Sequence, residues 1–171
     1  MNEGTSQPVA ATCHSDERAS ASGLDEATLC PVSQTIGQRV NLITLKALLT
    51  GKALPRLEGK AHRFCPDPNC EVVYFSIEAD SIFRKEDLRV RIGLKESEDP
   101  VPLCYCFDVT LADLRSDFSK ASGKAIPARI ADEVEAGHCA CEVRNPQGTC
   151  CLGTIRRALN HLNATAKESG S

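Results

Sequence analysis

Large aromatic side chains are scarce in this 171-residue sequence, which has no tryptophan, two tyrosines and five phenylalanines. Leucine, isoleucine, valine and phenylalanine together supply 39 residues, a fraction only just above the range in which disorder is expected. Apolar burial alone therefore leaves any small folded unit marginal. Such a unit needs a further source of stability, for example a bound metal ion.

Long apolar runs are also lacking. No stretch is long and apolar enough to span a bilayer, and the first residues, "MNEGTSQPVAATCHSDERASASG", lack the basic and apolar regions of a secretory signal. We therefore expect a cytoplasmic protein with no membrane insertion. In the reducing cytosol, cysteines in close sets are more often metal ligands or redox groups than disulfides.

Signatures of nucleic-acid binding and of catalysis are missing as well. The net charge of −3 and the scarcity of stacking side chains argue against a nucleic-acid partner. The sequence has no nucleotide-binding glycine loop, no paired-carboxylate motif and no nucleophile motif, so it indicates no enzyme class. Electron transfer and metal binding need none of these motifs.

The chain is rich in cysteine, with ten residues, several of them in short clusters. The stretch "CYC" holds Cys104 and Cys106, and an extended CxC would project both thiols to one side because side chains alternate along a strand. In "CACEVRNPQGTCCLG", the segment "NPQG" predicts a turn that folds Cys141 back towards Cys150 and Cys151. Disulfides between such close neighbours would be strained. The clusters therefore predict a metal centre, and four thiolates fit either zinc or an iron-sulfur cluster.

The pattern of residues changes along the chain and predicts an α+β protein. The first residues are rich in Ser, Ala, Thr and Glu, and this part includes Cys13 and His14. The charged and proline-containing stretch "KESEDPVP" predicts a boundary between two small subdomains. We expect a disordered tail (1–26), a strand-containing subdomain (27–100), a helical subdomain (101–163) and a polar tail (164–171).

Local patterns predict the elements of each subdomain. The stretch "QRVNLITLKALLTG" predicts a short strand and a helix with Thr44 as N-cap, whereas "EVVYFSI" and the alternating "LRVRIGL" predict strands. In the second subdomain, "TLADLRSDFSKASG", "IPARIADEVEAG" and "LGTIRRALNHLN" predict three helices with one apolar face each.

These motifs together resemble a known family. The order of "CPDPNCEVVYF", "CYCF", two helices, "AGHCACEVRNPQGTCCLG" and a final helix is similar to the amino-terminal domain of CopZ-type copper chaperones, from about Cys30 to Leu162. The second half alone resembles the [2Fe-2S] module of the bacterioferritin-associated ferredoxin group. The resemblance implies that the cluster ligands are Cys104, Cys106, Cys141 and Cys151, with Cys150 as the alternative to Cys151.

The resemblance also implies a zinc site in the first half, with Cys30, Cys65 and Cys70 as ligands. Relatives have a CPxC knuckle where this chain reads "CPVS", so Ser33 stands in place of the second thiol. A closed structural zinc site has four ligands. The candidates for the fourth are His62, Asp67, and Cys13 or His14 from the tail.

The implied function is in copper homeostasis. A [2Fe-2S] cluster that passes one electron could reduce Cu(II) to Cu(I) for a copper chaperone or a copper-exporting ATPase, with an unidentified electron donor. Cys139 is a spare thiol that could hold transient Cu(I) as a soft ligand. The family's heavy-metal-associated domain has an MxCxxC loop, which this chain lacks because Met1 is its one methionine. The alternative is a non-enzymatic, zinc-stapled protein-binding module.

Overall fold

The computed structural model describes residues 28–121 and 123–168 and has both strands and helices, as the predicted α+β class requires. The predicted tail 1–26, with Cys13 and His14, lies outside the described residues. The first half holds a four-stranded antiparallel sheet whose strands follow one another in chain order. Its elements are β1 (Gln38–Val40), α1 (Leu42–Leu48), β2 (His62–Phe64), β3 (Val72–Ser76) and β4 (Ser81–Arg84).

Strand β3 confirms the strand predicted from "EVVYFSI", and all five of its residues are buried. It lies between β2 and β4, so both of its edges are hydrogen-bonded. Its β-branched and aromatic residues suit this central position. The core on one side of the sheet joins α1 to the strands through residues that include Leu45, Phe64, Tyr74 and Phe83.

The strand predicted from "LRVRIGL" is wrong. The chain instead forms short 3-10 helices at Lys85–Asp87 and Gly93–Lys95, and Leu88 makes only an isolated bridge to Leu49. Leu88 and Ile92 are nevertheless buried, as the alternation predicted. The alternation of apolar residues therefore correctly indicated which side chains face the core. The backbone, however, turns after β4 and makes only the isolated bridge instead of pairing as a strand.

The N-cap predicted at Thr44 is also wrong. Helix α1 begins at Leu42, with Asn41 as its N-cap, so Thr44 lies inside the helix. The Thr44 hydroxyl donates a 2.6 Å hydrogen bond to the Glu142 carbonyl in the other half of the chain. A threonine inside a helix can use its hydroxyl in this way, because the hydroxyl is not needed as a cap.

The second half has a two-stranded hairpin and four helices. Its elements are β5 (Pro102–Cys104), β6 (Val109–Thr110), α2 (Leu111–Ala121), α3 (Ala125–Glu135), α4 (Cys141–Arg144) and α5 (Leu152–Glu168).

The extended CxC predicted for "CYC" is wrong. Cys104 is the last residue of β5, whereas Cys106 lies in the turn before β6.

The three long helices confirm the helices predicted from the apolar pattern. Thr110 and Asp113 cap the start of α2 reciprocally, because the Thr110 hydroxyl accepts from the Asp113 N–H and the Asp113 carboxylate accepts from the Thr110 N–H. Gly123 and Gly137 adopt positive φ beyond the ends of α2 and α3. The apolar faces meet in a second core whose fully buried members include Leu114, Ile130 and Ile155.

Two long-range hydrogen bonds join the halves near the "NPQG" turn. The buried Tyr74 hydroxyl donates to the Pro146 carbonyl at 2.7 Å, and Thr44 donates to Glu142. The predicted turn is confirmed by the bond from the Gly148 N–H to the Asn145 carbonyl. The first half is therefore hydrogen-bonded both to α4 and to the turn that follows it.

A further junction lies beside "CYC". The Gly93 N–H donates to the Tyr105 hydroxyl at 2.9 Å, and this hydroxyl donates to the Arg91 carbonyl at 2.9 Å. The backbone at Gly93 lies directly against Pro102, where a β-carbon would overlap the carbonyl oxygen. Glycine is therefore needed at position 93 for the two segments to approach this closely.

None of the helices in the described ranges is long and apolar enough to cross a bilayer.

We expect two glycine-to-alanine substitutions to change stability in opposite directions. Gly93→Ala should lower the free energy of unfolding by about 2 kcal/mol or more, because the new methyl group overlaps the Pro102 backbone. Gly153→Ala is the matched control, since nothing lies within 4 Å of its β-carbon position in α5. It should raise the free energy of unfolding by roughly 0.5 kcal/mol through helix propensity. Urea unfolding of the metal-replete proteins measures both, and an unchanged Gly93→Ala would contradict the close approach.

Candidate metal centres

Three buried cysteines converge in the first half. The Sγ atoms of Cys30, Cys65 and Cys70 all lie within 4.8 Å of one another. In the part of the chain that the structure describes, this is the one group of three or more His, Cys, Asp or Glu ligand atoms so close together. The structure therefore brings together the three residues expected to bind zinc.

The sheet and its flanking loops position these thiols. Cys65 directly follows β2, and its N–H donates to the Val73 carbonyl of β3 at 2.9 Å. Cys70 lies at the end of the loop between the same two strands. Cys30 is held in a turn before β1 by a 2.9 Å bond from its N–H to the Thr35 carbonyl. The central strand pair thus supplies two thiols and the preceding turn supplies the third.

The spacing of the thiols fits a zinc ion. Zinc–sulfur bonds of about 2.3 Å that meet at the tetrahedral angle place two sulfur atoms about 3.8 Å apart. The Cys30 and Cys70 sulfur atoms are 3.9 Å apart. A buried set of soft thiolate ligands is also the donor set that zinc favours.

Hydrogen bonds already favour a thiolate at Cys30. Burial raises its pKa, but hydrogen bonds from the Ser33 backbone and hydroxyl and from the Val32 backbone outweigh burial and lower the pKa below the ordinary value. Burial raises the pKa of Cys65. Placing negative charge on all three thiols therefore requires a cation at their centre.

The sequence did not indicate that a buried lysine lies beside this site. The Lys95 ammonium donates to the Asp67 carbonyl at 2.6 Å and to the Cys70 carbonyl at 3.1 Å, and lies 5.7 Å from the Phe64 ring centroid. Burial lowers the Lys95 pKa, whereas the charges of Cys65 and Cys70 oppose that shift. The local sequence "GLK" contains no pattern that predicts this role. Lys95 lies beside the loop that carries Cys70 only because the chain folds that way.

The candidate fourth ligand His62 lies away from the thiols. Side chains three residues apart on a strand point to opposite faces. The His62 ring accordingly packs against Phe83, while Cys65 joins the thiol cluster. Both ring nitrogens are also engaged, Nδ1 with the Lys60 carbonyl at 2.8 Å and Nε2 with the Ser81 hydroxyl at 3.2 Å.

Two oxygen-bearing side chains, those of Asp67 and Ser33, also lie close in sequence to the cysteines. The Asp67 carboxylate accepts from the Asn69 N–H at 2.9 Å, so it caps its own loop. The Ser33 hydroxyl lies 3.4 Å from the Cys65 sulfur. The residue that replaces the second thiol of the knuckle thus contacts the cluster directly.

The second cysteine set forms two pairs. The Cys106 and Cys141 sulfur atoms are 3.7 Å apart, and the thiols of Cys104 and Cys151 are hydrogen-bonded to each other. Cys104 and Cys151 are buried, whereas Cys150 is exposed. The structure therefore brings Cys151 rather than its neighbour to Cys104.

The thiol pair at Cys104 is electrostatically asymmetric. The hydrogen bond from Cys151 lowers the pKa of Cys104 to about 6, although burial opposes the shift. The same contact raises the pKa of Cys151, and burial raises that of Cys141. These neighbouring thiols therefore cannot all carry negative charge near neutral pH unless a cationic centre binds them.

Backbone N–H groups point at the sulfur atoms of this set. The Ala140 N–H donates to Cys106 at 3.3 Å, and the N–H groups of Cys106 and Phe107 hydrogen-bond to Cys104. Helix α5 begins directly after Cys151. Such donors stabilise thiolates and tune the potential of an iron-sulfur centre.

His138, next to Cys139, uses its ring to contact α3. Its Nδ1 pairs with the Glu133 carboxylate at 2.7 Å on the exposed end of α3. Cys139 itself is half-buried. Neither residue belongs to the two thiol pairs.

Comparison with known proteins bears on the first half most directly. A CopZ-type family model described as a zinc binding domain matches residues 27–89. The chain is 36% identical over 131 residues to the copper chaperone CopZ of Archaeoglobus fulgidus, across 75% of this chain and 60% of that protein. It therefore spans less than two thirds of the length of that relative.

A solved structure matches over almost its whole length. The crystal structure of the Archaeoglobus fulgidus CopZ N-terminal domain is similar with a TM-score of 0.63 and 36% sequence identity, covering 76% of this chain and 96% of that chain. The converging thiols of Cys30, Cys65 and Cys70 lie at the zinc-binding end of the match. By this identity and coverage, the chain belongs to the family of CopZ N-terminal domains, and its first half is a zinc-binding domain of the CopZ type.

Proposed function

We propose that the chain is a metal-handling protein of copper homeostasis, with a structural zinc site in the first half and a [2Fe-2S] cluster in the second. The zinc ligands are Cys30, Cys65 and Cys70. The cluster ligands are Cys104, Cys106, Cys141 and Cys151. When bound, the cluster supplies one-electron transfer, and Cu(II) taken as substrate leaves as Cu(I) after gaining one electron.

The observation that carries the cluster proposal is the pairing of the thiols. A binuclear centre has two irons, and each iron needs two thiolates from the protein. The pairs Cys106 with Cys141 and Cys104 with Cys151 supply one such set each. No three sulfur atoms of this set lie within 4.8 Å of one another among the described residues, so the donors favour two metal atoms over one.

The residues around these thiols suit a centre that changes charge by one electron. Cys104 and Cys151 are buried, while Cys106 and Cys141 are half-buried. The backbone N–H of Ala140 donates to Cys106 and favours added negative charge. Partial exposure on one side lets an electron enter and leave, and burial on the other side excludes water.

The first half acts as the scaffold in this proposal. Zinc with three thiolates carries net negative charge inside the protein, and the buried Lys95 ammonium offsets it. The residues of Gly93–Lys95 also pack against the start of the "CYC" hairpin. Zinc binding at one end therefore stabilises the segment that leads to the cluster ligands.

The substrate and partners follow from the family. The curated relative is named as a copper chaperone. A copper chaperone or a copper-exporting ATPase is the expected recipient of Cu(I), and the electron donor is a separate reductant. The exposed Cys150 and the half-buried Cys139 lie beside Cys141 and offer soft ligands for transient Cu(I).

Anaerobically purified protein tests the proposal. We expect one zinc, two irons and two acid-labile sulfides per chain, a visible spectrum that bleaches with dithionite, and an EPR signal in the reduced state. Colourless protein that holds zinc without iron or sulfide would contradict the cluster and leave the zinc-stapled binding module as the function.

Neighbouring cysteines provide a matched pair of variants. Cys151→Ser should lose most of the bound iron and sulfide, because it removes the buried partner of Cys104. Cys150→Ser should keep them, since the Cys150 side chain is exposed. Iron and sulfide analysis with the visible spectrum measures both. Equal loss in the two variants, or loss in Cys150→Ser alone, would contradict the assignment.

Lys95→Met should weaken zinc binding and lower the free energy of unfolding of the zinc-loaded protein by about 3 kcal/mol, because a buried charge loses its counter-charge. Lys46→Met is the control, since Lys46 is exposed on α1. It should change stability by less than about 0.5 kcal/mol. Competition with a chromophoric chelator and urea unfolding measure the two effects. Zinc affinity that is equal in Lys95→Met and Lys46→Met would exclude charge compensation by Lys95.

A further inference from the structure

We propose that the hydroxyl oxygen of Ser33 is the fourth zinc ligand, so that the site has three thiolates and one neutral oxygen. This inference rests on the zinc binding proposed above. It concerns Ser33, which the family resemblance places where a CPxC knuckle has its second thiol. The family match gives zinc binding, but it does not identify this ligand.

The distances fit an oxygen at that corner. With zinc–sulfur bonds of about 2.3 Å and zinc–oxygen bonds of about 2.0–2.2 Å, a tetrahedral site places sulfur and oxygen about 3.5–3.7 Å apart. The Ser33 oxygen lies 3.4 Å from the Cys65 sulfur. It also hydrogen-bonds to the Cys30 thiol. The oxygen therefore lies within reach of two of the three zinc-binding sulfur atoms.

The local backbone directs Ser33 towards the thiols. Cys30 and Ser33 keep the spacing of a C-x2-C zinc knuckle. The turn is closed by the 2.9 Å bond from the Gln34 N–H to the Cys30 carbonyl, and Gln34 has a φ of 59°. The Thr35 N–H donates a hydrogen bond to the Ser33 oxygen, with 3.4 Å between nitrogen and oxygen. This N–H orients a lone pair of the hydroxyl and leaves the other lone pair for a metal ion.

Charge also favours a neutral fourth ligand. A zinc ion with three thiolates has a formal charge of −1, which the single Lys95 ammonium balances. An Asp67 carboxylate would bring a second negative charge into the buried site. The Asp67 carboxylate instead accepts from the Asn69 N–H, and the Asp67 backbone carbonyl accepts from the Lys95 ammonium. Ser33 completes the coordination without adding charge.

Position 33 can be tested with two substitutions. Ser33→Ala should weaken zinc binding by at least about tenfold, because it removes a ligand and leaves water to fill the corner. Ser33→Cys should tighten zinc binding, because a fourth thiolate replaces the weak hydroxyl ligand. The controls are Ser81→Ala and Ser81→Cys, because the Ser81 hydroxyl pairs with His62 away from the thiols. Competition with a chromophoric chelator measures each affinity in the full chain.

Cadmium-113 NMR provides a readout that a merely structural role would not change. Each cadmium site gives its own resonance, and the resonance moves downfield with every added thiolate. Cadmium bound at the first half should give a three-sulfur shift in the wild type and a four-sulfur shift in Ser33→Cys, with no movement in Ser81→Cys.

The outcomes separate this inference from the proposed function. If the wild type binds neither zinc nor cadmium in the first half, the zinc proposal fails and the inference fails with it. If the metal binds, but Ser33→Ala keeps wild-type affinity or Ser33→Cys leaves the resonance unmoved, Ser33 is not a ligand. A four-sulfur shift in the wild type would likewise overturn the inference and would identify a fourth thiol such as Cys13.

Discussion

Buried negative charge at the three converging thiols is the constraint on which the first half depends. Cys30, Cys65 and Cys70 are almost completely buried, and thiolates in such surroundings are unfavourable without a cation. The sheet around them is thin, with strands of three to five residues. Binding of a divalent ion converts an unfavourable cluster into a cross-link between the turn before β1 and the β2–β3 pair. Metal binding and folding are therefore one process here.

Lys95 connects this constraint to the rest of the chain. Its ammonium binds the loop carbonyls beside the thiols, while its backbone belongs to the Gly93–Lys95 turn that packs against Pro102. Tyr105, between the two cysteines of "CYC", bonds to the same turn. A change in the charge of the zinc site is thus felt within a few residues of Cys104 and Cys106. In the described residues, the Gly93–Lys95 turn therefore contacts both the loop of the zinc-binding thiols and the "CYC" segment.

The sequence predicted those features that depend on local chemistry. The apolar stripes predicted the helices of the second half, and the cysteine spacing predicted that the thiols of the second set lie close together, whereas the first set followed from the family resemblance. Predictions from the sequence failed where the local structure depends on residues distant in the chain. Thr44 donates a hydrogen bond to Glu142 instead of capping α1. The segment "LRVRIGL" buries its apolar side chains but makes only one isolated bridge and forms no strand. The family resemblance already favoured Cys151 over Cys150, and the fold adds that Cys151 is buried against Cys104 while Cys150 is exposed.

Hydrogen bonds join the two halves across the predicted boundary near residue 100. The turn that carries Cys141 and Cys151 is held by Tyr74 from β3 and by Thr44 from α1. A centre that exchanges single electrons works best when its ligands move little between oxidation states. The first half supplies its contacts from α1 and β3, and its three converging thiols lie where the turn before β1 meets the loop between β2 and β3. Under the proposed function, zinc binding at these thiols thus contributes to electron transfer by holding the cluster ligands in place.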